Sequence, residues 1–379
     1  TLSPPPPPSP LELDRRQRQM CIRDSWGKTR IAPGESADVS ITISESYAGM
    51  DIKIPVHVRR AKKDGPVVFV TAAVHGDEIN GTGAIRRLIT DCQFELRRGT
   101  LVLLPVVNLL GFERHSRYLP DRRDLNRSFP GSPTGSLASR LAHAIYTQVI
   151  KRCDYGIDLH TAAVRRTNFP NVRANLKDHV LADFAHAFGT EMILGSRAPK
   201  GSLRRAACDA GCPTLILEAG EVWKVEPTVV EYALRGVQNC LIHLGMVEGK
   251  ISKPAYRIVA NKTQWVRAQH GGFLSFHVGP GGIIKKDDPI ATNTSLLGHE
   301  HNTITAPRDG VVLGMTTLPS VAPGDPICHL AYVKKGSLKI IEEARDAMHD
   351  HSLHQRTHDQ LGTNVMVSDA NEEEAEAGT

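Results

Sequence analysis

The sequence predicts an α/β domain followed by a small all-β domain. From about residue 50 to 245, short apolar β-rich runs alternate with helical patterns, as in a sheet that helices cover on both faces. From about 255 to 333 helical periodicity vanishes, and glycine and proline turns such as GPGG, PRDG and PGDP separate short strand-like runs. With 379 residues, the chain has room for two domains of ordinary size.

Seven segments of the α/β part are assigned from their hydrophobic patterns. Short continuous apolar runs predict buried strands at 66–74, 100–108, 154–160 and 213–220. Apolar residues at helical spacing predict helices at 79–89, 136–150 and 227–244. The alternation of the two patterns indicates a sheet whose strands are connected by helices.

The two ends of the chain differ in composition from its body. Residues 1–25 combine a proline run with an aperiodic arginine-rich string, and we expect them to be a disordered or non-native leader. The predicted domains follow at 26–250, for the α/β part, and at 251–336, for the all-β part. Residues 337–379 are rich in histidine and acidic groups. We expect them to form a polar acidic tail, a solvated helix and a disordered terminus, rather than a metal site.

Charge and composition exclude several classes of function. The net charge is +5, with +1 in residues 1–25 and −7 in residues 337–379, so the body between them carries +11 and would attract anions. Aromatic residues make up only 5%, and no basic run is interleaved with them, so we expect no nucleic-acid partner. No apolar run approaches the roughly 18–20 residues of a spanning helix, so we expect no membrane partner. Seven scattered cysteines, an odd number, predict a reducing compartment and hence the cytoplasm.

Polar side chains gather where the predicted strands end. His75 and Glu78 follow the strand at 66–74, and His160 ends the strand at 154–160. Two histidines and a glutamate hold a tetrahedral zinc ion with one open position, where a water molecule becomes acidic. The pattern therefore predicts one Zn²⁺ per chain. Asp158 shares a strand face with His160 and either orients a ligand or caps the following turn.

Two further segments supply the other groups that amide hydrolysis requires. Glu218 ends a buried strand and fits the role of general base, with a salt bridge to an arginine as the structural alternative. In the arginine-dense loop 114–131, Arg127 offers a planar fork for a carboxylate and Asn126 adds an amide donor. Arg117 could stabilise a developing oxyanion. The alternative for Arg127 is that it pairs with an acidic residue such as Asp124 and braces the loop.

The ordered motifs HGDE, DLNRSFPG, DLHT and LEAGE resemble those of the succinylglutamate desuccinylase/aspartoacylase family of zinc amidohydrolases. The resemblance extends over about residues 40–333. It implies a mixed central sheet flanked by helices, like that of zinc carboxypeptidases. It also implies that the all-β part is barrel-like and similar to a biotinyl/lipoyl module.

The same resemblance implies a role for each candidate residue. It implies zinc ligation by His75, Glu78 and His160, and a base role for Glu218. The Asn-Arg pair of the family, matched by Asn126 and Arg127, would bind the substrate carboxylate. The arginine before an aromatic residue, matched by Arg117, would polarise the scissile carbonyl.

These residues favour a zinc-dependent hydrolase that cleaves the amide of a small anionic N-acyl amino acid or a related amide. One alternative is a metallocarboxypeptidase that acts on peptides. A second alternative, suggested by the biotinyl-like module, is a non-catalytic carrier or binding protein. The hairpin 314–319 holds no lysine for a prosthetic group, which argues against the carrier. The sequence leaves an oligomer open.

Overall fold

The computed structural model describes residues 25–27, 29–45, 49, 51–91, 94–333, 336–349 and 351–365. The predicted leader lies outside the described residues apart from Ser25, as does the acidic end of the tail from residue 366. In chain order the strands are β1 (Ser25–Trp26), β2 (Thr29–Arg30), β3 (Ser36–Glu45), β4 (Asp51–Arg60), β5 (Lys63–Ala72), β6 (Arg98–Leu104), β7 (Tyr155–His160), β8 (Arg166–Ala174), β9 (Met192–Gly195), β10 (Thr214–Glu221), β11 (Ile258–Ala260), β12 (Thr263–Arg267), β13 (Gly272–Phe276), β14 (Ile283–Ile284), β15 (Pro289–Thr294), β16 (Glu300–Thr305), β17 (Gly310–Thr316), β18 (Ser320–Val321) and β19 (Pro326–Tyr332). The α-helices are α1 (Asn80–Thr90), α2 (Leu109–Phe112), α3 (Leu137–Gln148), α4 (His179–Phe188), α5 (Leu203–Asp209), α6 (Pro227–His243), α7 (Ser337–Asp346) and α8 (Leu353–Gly362).

A mixed sheet forms the α/β part, so the predicted α/β class is confirmed. Its strands are ordered β3, β4, β6, β5, β7, β10, β8, and β9 and β11 extend it beyond β8. Strand β5 pairs in parallel with β6 and β7, and β7 pairs in parallel with β10. Because these strands are parallel, the carboxyl ends of β5, β7 and β10 meet at one edge of the sheet.

Helices cover both faces of this sheet. Helices α1, α4 and α6 contribute to one apolar core, while α3 and α5 contribute to a second core. Strand β5 lies between the two cores, and its residues 67–72 are all buried, so both of its faces are covered. This two-sided burial explains why the central strands appear in the sequence as continuous apolar runs rather than as alternating patterns.

Short-range signals set the helix ends. The side chain of Ser136 accepts a hydrogen bond from the amide of Ser139 at the start of α3, and Pro227 occupies the first turn of α6. Helix α4 ends at Gly189, which has a φ of +86°. Among the helices that the structure describes, none has the length and apolar character needed to span a bilayer.

The C-terminal strands form antiparallel pairs around a third apolar core. Strands β12, β19 and β17 are neighbours, and β17 also pairs with β8, so these strands continue the α/β sheet. Strands β16, β15, β13 and β18 form a separate sheet. Strand β11 falls in the range predicted for the all-β domain, yet it pairs with β9 of the α/β sheet. The two predicted parts therefore share hydrogen-bonded strands.

Helix α8 packs against the body of the protein, so the expectation of a solvated helix does not hold for this part of the tail. Leu353 and Leu361 are buried on it, and they lie eight residues apart, on one helix face. His354 is only 3% exposed, and its ring meets that of Phe169 edge-on at 5.1 Å. The apolar face is short and lies within a polar sequence, so composition alone does not reveal it.

Candidate active site

The structure brings all seven predicted site residues to one cavity. Its volume is about 300 Å³, and it lies at the edge where β5, β7 and β10 end. The predicted residues on its wall are His75, Glu78, Arg117, Asn126, Arg127, His160 and Glu218. Their roles stay predictions, but their convergence satisfies the first geometric requirement of an active site.

Three of these side chains form a compact donor group. Nδ1 of His75 lies 2.6 Å from Oε1 of Glu78, and Nδ1 of His160 lies 2.8 Å from Oε2 of the same carboxylate. All three residues are buried, and one ligand atom from each lies within 4.8 Å of the others. Two imidazole nitrogens and a carboxylate therefore face a common point.

The Nε2 atom of each imidazole lies near another carboxylate, Asp158 for His160 and Asp124 for His75. Nε2 of His160 lies 2.8 Å from Oδ2 of Asp158, whose other oxygen accepts a hydrogen bond of 2.8 Å from Thr71 Oγ1. Nε2 of His75 lies 3.3 Å from Oδ1 of Asp124. Of the two readings of Asp158, the structure supports orientation of His160. Such outer carboxylates fix the ring orientation of metal-ligating histidines.

The electrostatics of the group favour positive charge on its imidazoles and negative charge on its carboxylate. Burial lowers the pKa of the His160 imidazole, but Asp158 and Glu78 outweigh burial and hold that pKa well above its usual value. Burial acts in the opposite sense on Glu78, yet the two imidazoles hold the pKa of its carboxyl below the usual range. The group thus binds positive charge strongly, and a divalent ion would replace the protons on the facing nitrogens. Imidazole and carboxylate are ligands that zinc accepts, so the donor set fits zinc.

A glycine shapes the loop that carries His75 and Glu78. A Cβ atom at Gly76 would lie 2.1 Å from the carbonyl carbon of Gly111 and 2.2 Å from the amide nitrogen of Phe112. The loop can therefore approach α2 only with glycine at this position. The amide of Glu78 donates to the carbonyl of His75 at 3.1 Å, which closes the turn.

Glu218 lies beside the donor group on the neighbouring strand. It is the register partner of His160 in the parallel pair of β10 and β7. Its Oε2 accepts a hydrogen bond of 3.2 Å from Asn168 Nδ2, and its Oε1 lies 3.6 Å from Nη1 of Arg173. The arginine contact that the structural alternative expected is thus present. Glu218 nevertheless also lines the cavity.

Arg117 bridges the donor group and the loop that follows it. Its Nη1 donates to Oε1 of Glu78 at 3.2 Å, and its Nη2 donates to Oδ2 of Asp124 at 3.1 Å. Burial opposes the charged form, but Glu78 and Asp124 raise the pKa of Arg117 above its ordinary value. A fixed cation therefore stands beside the candidate metal ligands.

The Asn-Arg pair is held by a short 3₁₀ helix, Leu125–Arg127, that Asp124 caps. Oδ1 of Asn126 accepts a hydrogen bond of 2.9 Å from the amide of Leu203, so this residue also anchors α5. Arg127 is exposed, and its Nη1 donates to the carbonyl of Asn126 at 2.7 Å. Across the part of the chain that the structure describes, no carboxylate lies within ion-pair distance of Arg127. The alternative pairing with Asp124 is absent, because Asp124 contacts Arg117 and His75.

Sequence reasoning missed several cavity residues that come from β8, α5 and the C-terminal strands. Their arrival could not be predicted from local patterns, although the polar composition of 166–173 was a signal. They include Arg166, Asn168, Arg173, Arg204, Trp265 and His329.

Arg204 is the most deeply buried of these cations. It is 3% exposed, and its Nε and Nη1 atoms have no hydrogen-bond partner among the described residues. Burial lowers its pKa to about 10, so the guanidinium stays charged at neutral pH. A buried cation of this kind can receive a negatively charged group of a ligand.

The C-terminal strands add an aromatic wall. The rings of Trp265 and His329 stack at 4.6 Å with an angle of 7°, and the guanidinium of Arg166 lies 4.8 Å from the Trp265 ring centroid. Burial, together with the charges of Arg173 and Arg166, lowers the pKa of His329 to about 4. The imidazole is therefore neutral at physiological pH.

Comparisons with known proteins show which proteins the chain resembles. Residues 64–244 match the model of the succinylglutamate desuccinylase/aspartoacylase catalytic domain, so the predicted resemblance is confirmed. The chain is 27% identical over 299 residues to N-alpha-acetyl-L-2,4-diaminobutyric acid deacetylase of Halomonas elongata, covering 74% of this chain and 86% of the relative.

Solved structures show the same fold. The product-bound ectoine utilization protein of Ruegeria pomeroyi superposes with a TM-score of 0.71 at 22% identity, covering 80% of this chain and 98% of that one. A succinylglutamate desuccinylase/aspartoacylase of Rhodobacter sphaeroides gives a TM-score of 0.68 at 24% identity, covering 79% and 96%.

Proposed function

We propose that this chain, whose residues 64–244 match the model of the succinylglutamate desuccinylase/aspartoacylase catalytic domain, is a zinc-dependent deacylase of small N-acyl amino acids. The observation that carries the proposal is the convergence of His75, Glu78 and His160 in one cavity with Glu218. The similarity to a deacetylase of an N-acetylated amino acid supports the same reaction class. A zinc ion bound to these three residues would act as a Lewis acid and acidify a water molecule.

The chain's own residues divide the remaining work of amide hydrolysis. Glu218 takes a proton from the attacking water and returns it to the leaving nitrogen as the carbon–nitrogen bond breaks. Arg117 stabilises the negative charge that develops on the carbonyl oxygen. Asn126 and Arg127 hold the substrate carboxylate and so fix the orientation of the amide. The products are a free carboxylic acid and an amino acid.

The charge of the cavity supports an anionic substrate. Arg127, Arg166, Arg173 and Arg204 all line it, and Glu218 is the carboxylate that faces them outside the metal group. Burial strengthens the attraction between such cations and a bound anion, since the effective dielectric constant falls below that of water. A substrate with one or more carboxylates would therefore be attracted, while a purely cationic substrate would be repelled.

The cavity also favours a deacylase over the two alternatives. A volume of about 300 Å³ suits a small amide better than an extended peptide. A carrier would not require a general base and a metal group at the same cavity. We further propose that the C-terminal strands form the biotinyl/lipoyl-like barrel. We also propose a cytoplasmic location, supported by Cys208, Cys212, Cys240 and Cys328, which form no disulfide in the structure.

A substrate panel tests the proposed function. Zinc-loaded protein is assayed against acetyl-, succinyl- and aspartyl-type N-acyl amino acids, with a short peptide as control, and amine release is measured. We expect release from at least one N-acyl amino acid and a negligible rate on the peptide. Rapid cleavage of the peptide without any deacylation would establish the carboxypeptidase instead.

Exchange of Arg127 for lysine tests the carboxylate clamp. Lysine keeps the charge but loses the two-pronged geometry, so transition-state binding should weaken by about 1.5–3 kcal/mol, or roughly tenfold to a hundredfold in kcat/KM. The wild-type enzyme should discriminate against a substrate whose carboxylate is amidated, and Arg127→Lys should discriminate less. The measurement is kcat/KM for both proteins on both substrates.

Arg123→Lys, on the same loop, is the matched control, because its guanidinium is exposed and does not line the cavity. It should behave as the wild type on both substrates. If Arg127→Lys lost the same factor on the charged and the amidated substrate, Arg127 would only brace the loop.

A further inference from the structure

The buried residues Asn80 and Glu226 connect two parts of the site. One is the loop that carries His75 and Glu78, and the other is the segment after β10, the strand that carries Glu218. Oδ1 of Asn80 accepts a hydrogen bond of 2.7 Å from the amide of Glu226, and Nδ2 of Asn80 donates to Oε2 of Glu226 at 2.8 Å. The same Nδ2 donates to the carbonyl of Glu221 at 3.2 Å. Asn80 lies two residues after Glu78, at the start of α1, while Glu221 ends the strand that carries Glu218.

The carboxylate of Glu226 is buried and accepts hydrogen bonds from neutral donors. The residue is 4% exposed, and its Oε2 also accepts a hydrogen bond of 2.9 Å from the amide of Glu221. Its Oε1 accepts a hydrogen bond of 3.0 Å from Nδ2 of Asn364. Within the described ranges, no cation lies at ion-pair distance from it. Glu226 is the N-cap residue of α6, where the helix dipole favours a negative charge, so the buried carboxylate can serve as a shared acceptor for Asn80, Glu221 and Asn364.

The neighbouring backbone is shaped to admit this carboxylate. Gly220 has a φ of +74°, and a Cβ atom on it would lie 2.1 Å from Oε2 of Glu226 and 2.6 Å from Nδ2 of Asn80. Any larger residue at this position would displace the pair. The close approach of strand, glutamate and asparagine is therefore a specific feature of this site.

The C-terminal parts of the chain attach to the same segment. Oδ1 of Asn364, just beyond α8, accepts a hydrogen bond of 2.8 Å from Nζ of Lys224, which lies 2.7 Å from Oε2 of Glu221. Oγ1 of Thr317, between β17 and β18, donates to Oε1 of Glu221 at 2.8 Å. Helix α8 and the C-terminal strands are thereby fixed to the segment that Glu226 joins to Asn80.

We propose that Asn80 and Glu226 are positioning residues that fix the distance between the metal ligands and the general base, and that Asn364, just beyond α8, completes this arrangement. The catalytic part of the proposal rests on the proposed function. His75 and Glu78 lie on the loop after β5, while Glu218 lies on β10, so their spacing depends on what joins the two. A catalytic group must be held within about 0.5 Å of its productive position.

The variant Glu226→Gln tests this inference, because glutamine keeps the size but directs an amide at donors that require an acceptor. We expect the affinity for zinc to fall about tenfold and kcat to fall by about tenfold to a hundredfold, with KM nearly unchanged. Zinc affinity is measured by competition with a chromophoric chelator on metal-free full-length protein. The kinetic split is measured on the substrate found in the panel.

Glu231→Gln is the matched control on α6, the helix that directly follows Glu226, since Glu231 pairs with Arg356 at the surface. It should leave zinc affinity and kinetics at wild-type values. Asn364→Ala removes one donor at the edge of the arrangement and covers the case in which Glu226→Gln does not fold. It should shift zinc affinity and kcat in the same direction by a smaller factor.

Two outcomes would overturn the inference. One is wild-type zinc affinity and kcat in the folded variants. The other is a lowered melting temperature with neither quantity changed, which would make the pair a structural brace only. Zinc affinity can be measured without a substrate. If the wild-type protein bound zinc but cleaved no amide, the proposed function would be contradicted. The zinc affinities of the variants would still decide this inference.

Discussion

Replacement of Glu218 by glutamine should abolish turnover while it preserves the fold and the bound zinc. The amide has the size of the carboxyl group but cannot accept the proton of the attacking water, and such proton transfer is worth roughly 10²- to 10⁴-fold in rate. Asn168 can still donate to the remaining side-chain oxygen, so the local hydrogen bond survives. The measurements are kcat on an N-acyl amino acid and the zinc content of the purified variant.

The outcome shows whether Glu218 acts as a general base or only as the counter-ion of Arg173. If Glu218 only neutralised Arg173, which lies 3.6 Å away, the variant would lose stability and keep kcat near the wild-type value. The sequence suggests Glu221 as the next candidate for the base, but its carboxylate contacts Lys224 and Thr317 and does not line the cavity. Glu231→Gln again serves as the control and should retain full kcat.

The sequence predicts the convergence of His75, Glu78 and His160 well because the signals for it are local. Strands β5 and β7 are continuous apolar runs, and each is followed or ended by the residues that converge, His75 with Glu78 and His160. Parallel pairing then brings the strand ends together without any further information from the chain. The same logic places Glu218, which ends a third apolar run.

Partners within the arginine-dense loop could not be predicted, since they depend on the path of the loop. Asp124 lies three residues from Arg127 and seven from Arg117, so proximity along the chain favours the former. The structure pairs Asp124 with Arg117 and with His75, while Nη1 of Arg127 donates to the carbonyl of Asn126. Spacing along an irregular segment is therefore a weak guide to contacts.

The wall formed by Trp265 and His329 depends on contacts between distant parts of the chain. Both residues lie on C-terminal strands, and they reach the cavity because β17 pairs with β8, more than 140 residues earlier. In the same way, the short apolar face of α8 can be recognised as a packing surface only from its contacts with α6 and β8. Periodicity identifies elements but does not identify their partners.

The second large expected effect concerns the proposed zinc site. The purified protein should hold about one zinc ion per chain, and His160→Ala and His75→Ala should lose it on dialysis, because each removes one of three protein ligands. The chelated wild-type protein should lose activity and regain it when zinc is added. Metal analysis of all three proteins provides the measurement, with His243→Ala, an exposed histidine at the end of α6, as the control.

Thermal unfolding gives a readout that does not depend on activity. Zinc that binds only the folded state should stabilise the wild-type protein by about 2.7 kcal/mol at a free concentration of a hundred times Kd. The two ligand variants should show little of this shift, while His243→Ala should show all of it. Removal of an imidazole also frees Asp158 or Asp124 from its contact, so the variants should be compared in their metal-free forms first. Stoichiometric zinc in both His75→Ala and His160→Ala would place the metal elsewhere and would remove the basis of the proposed reaction.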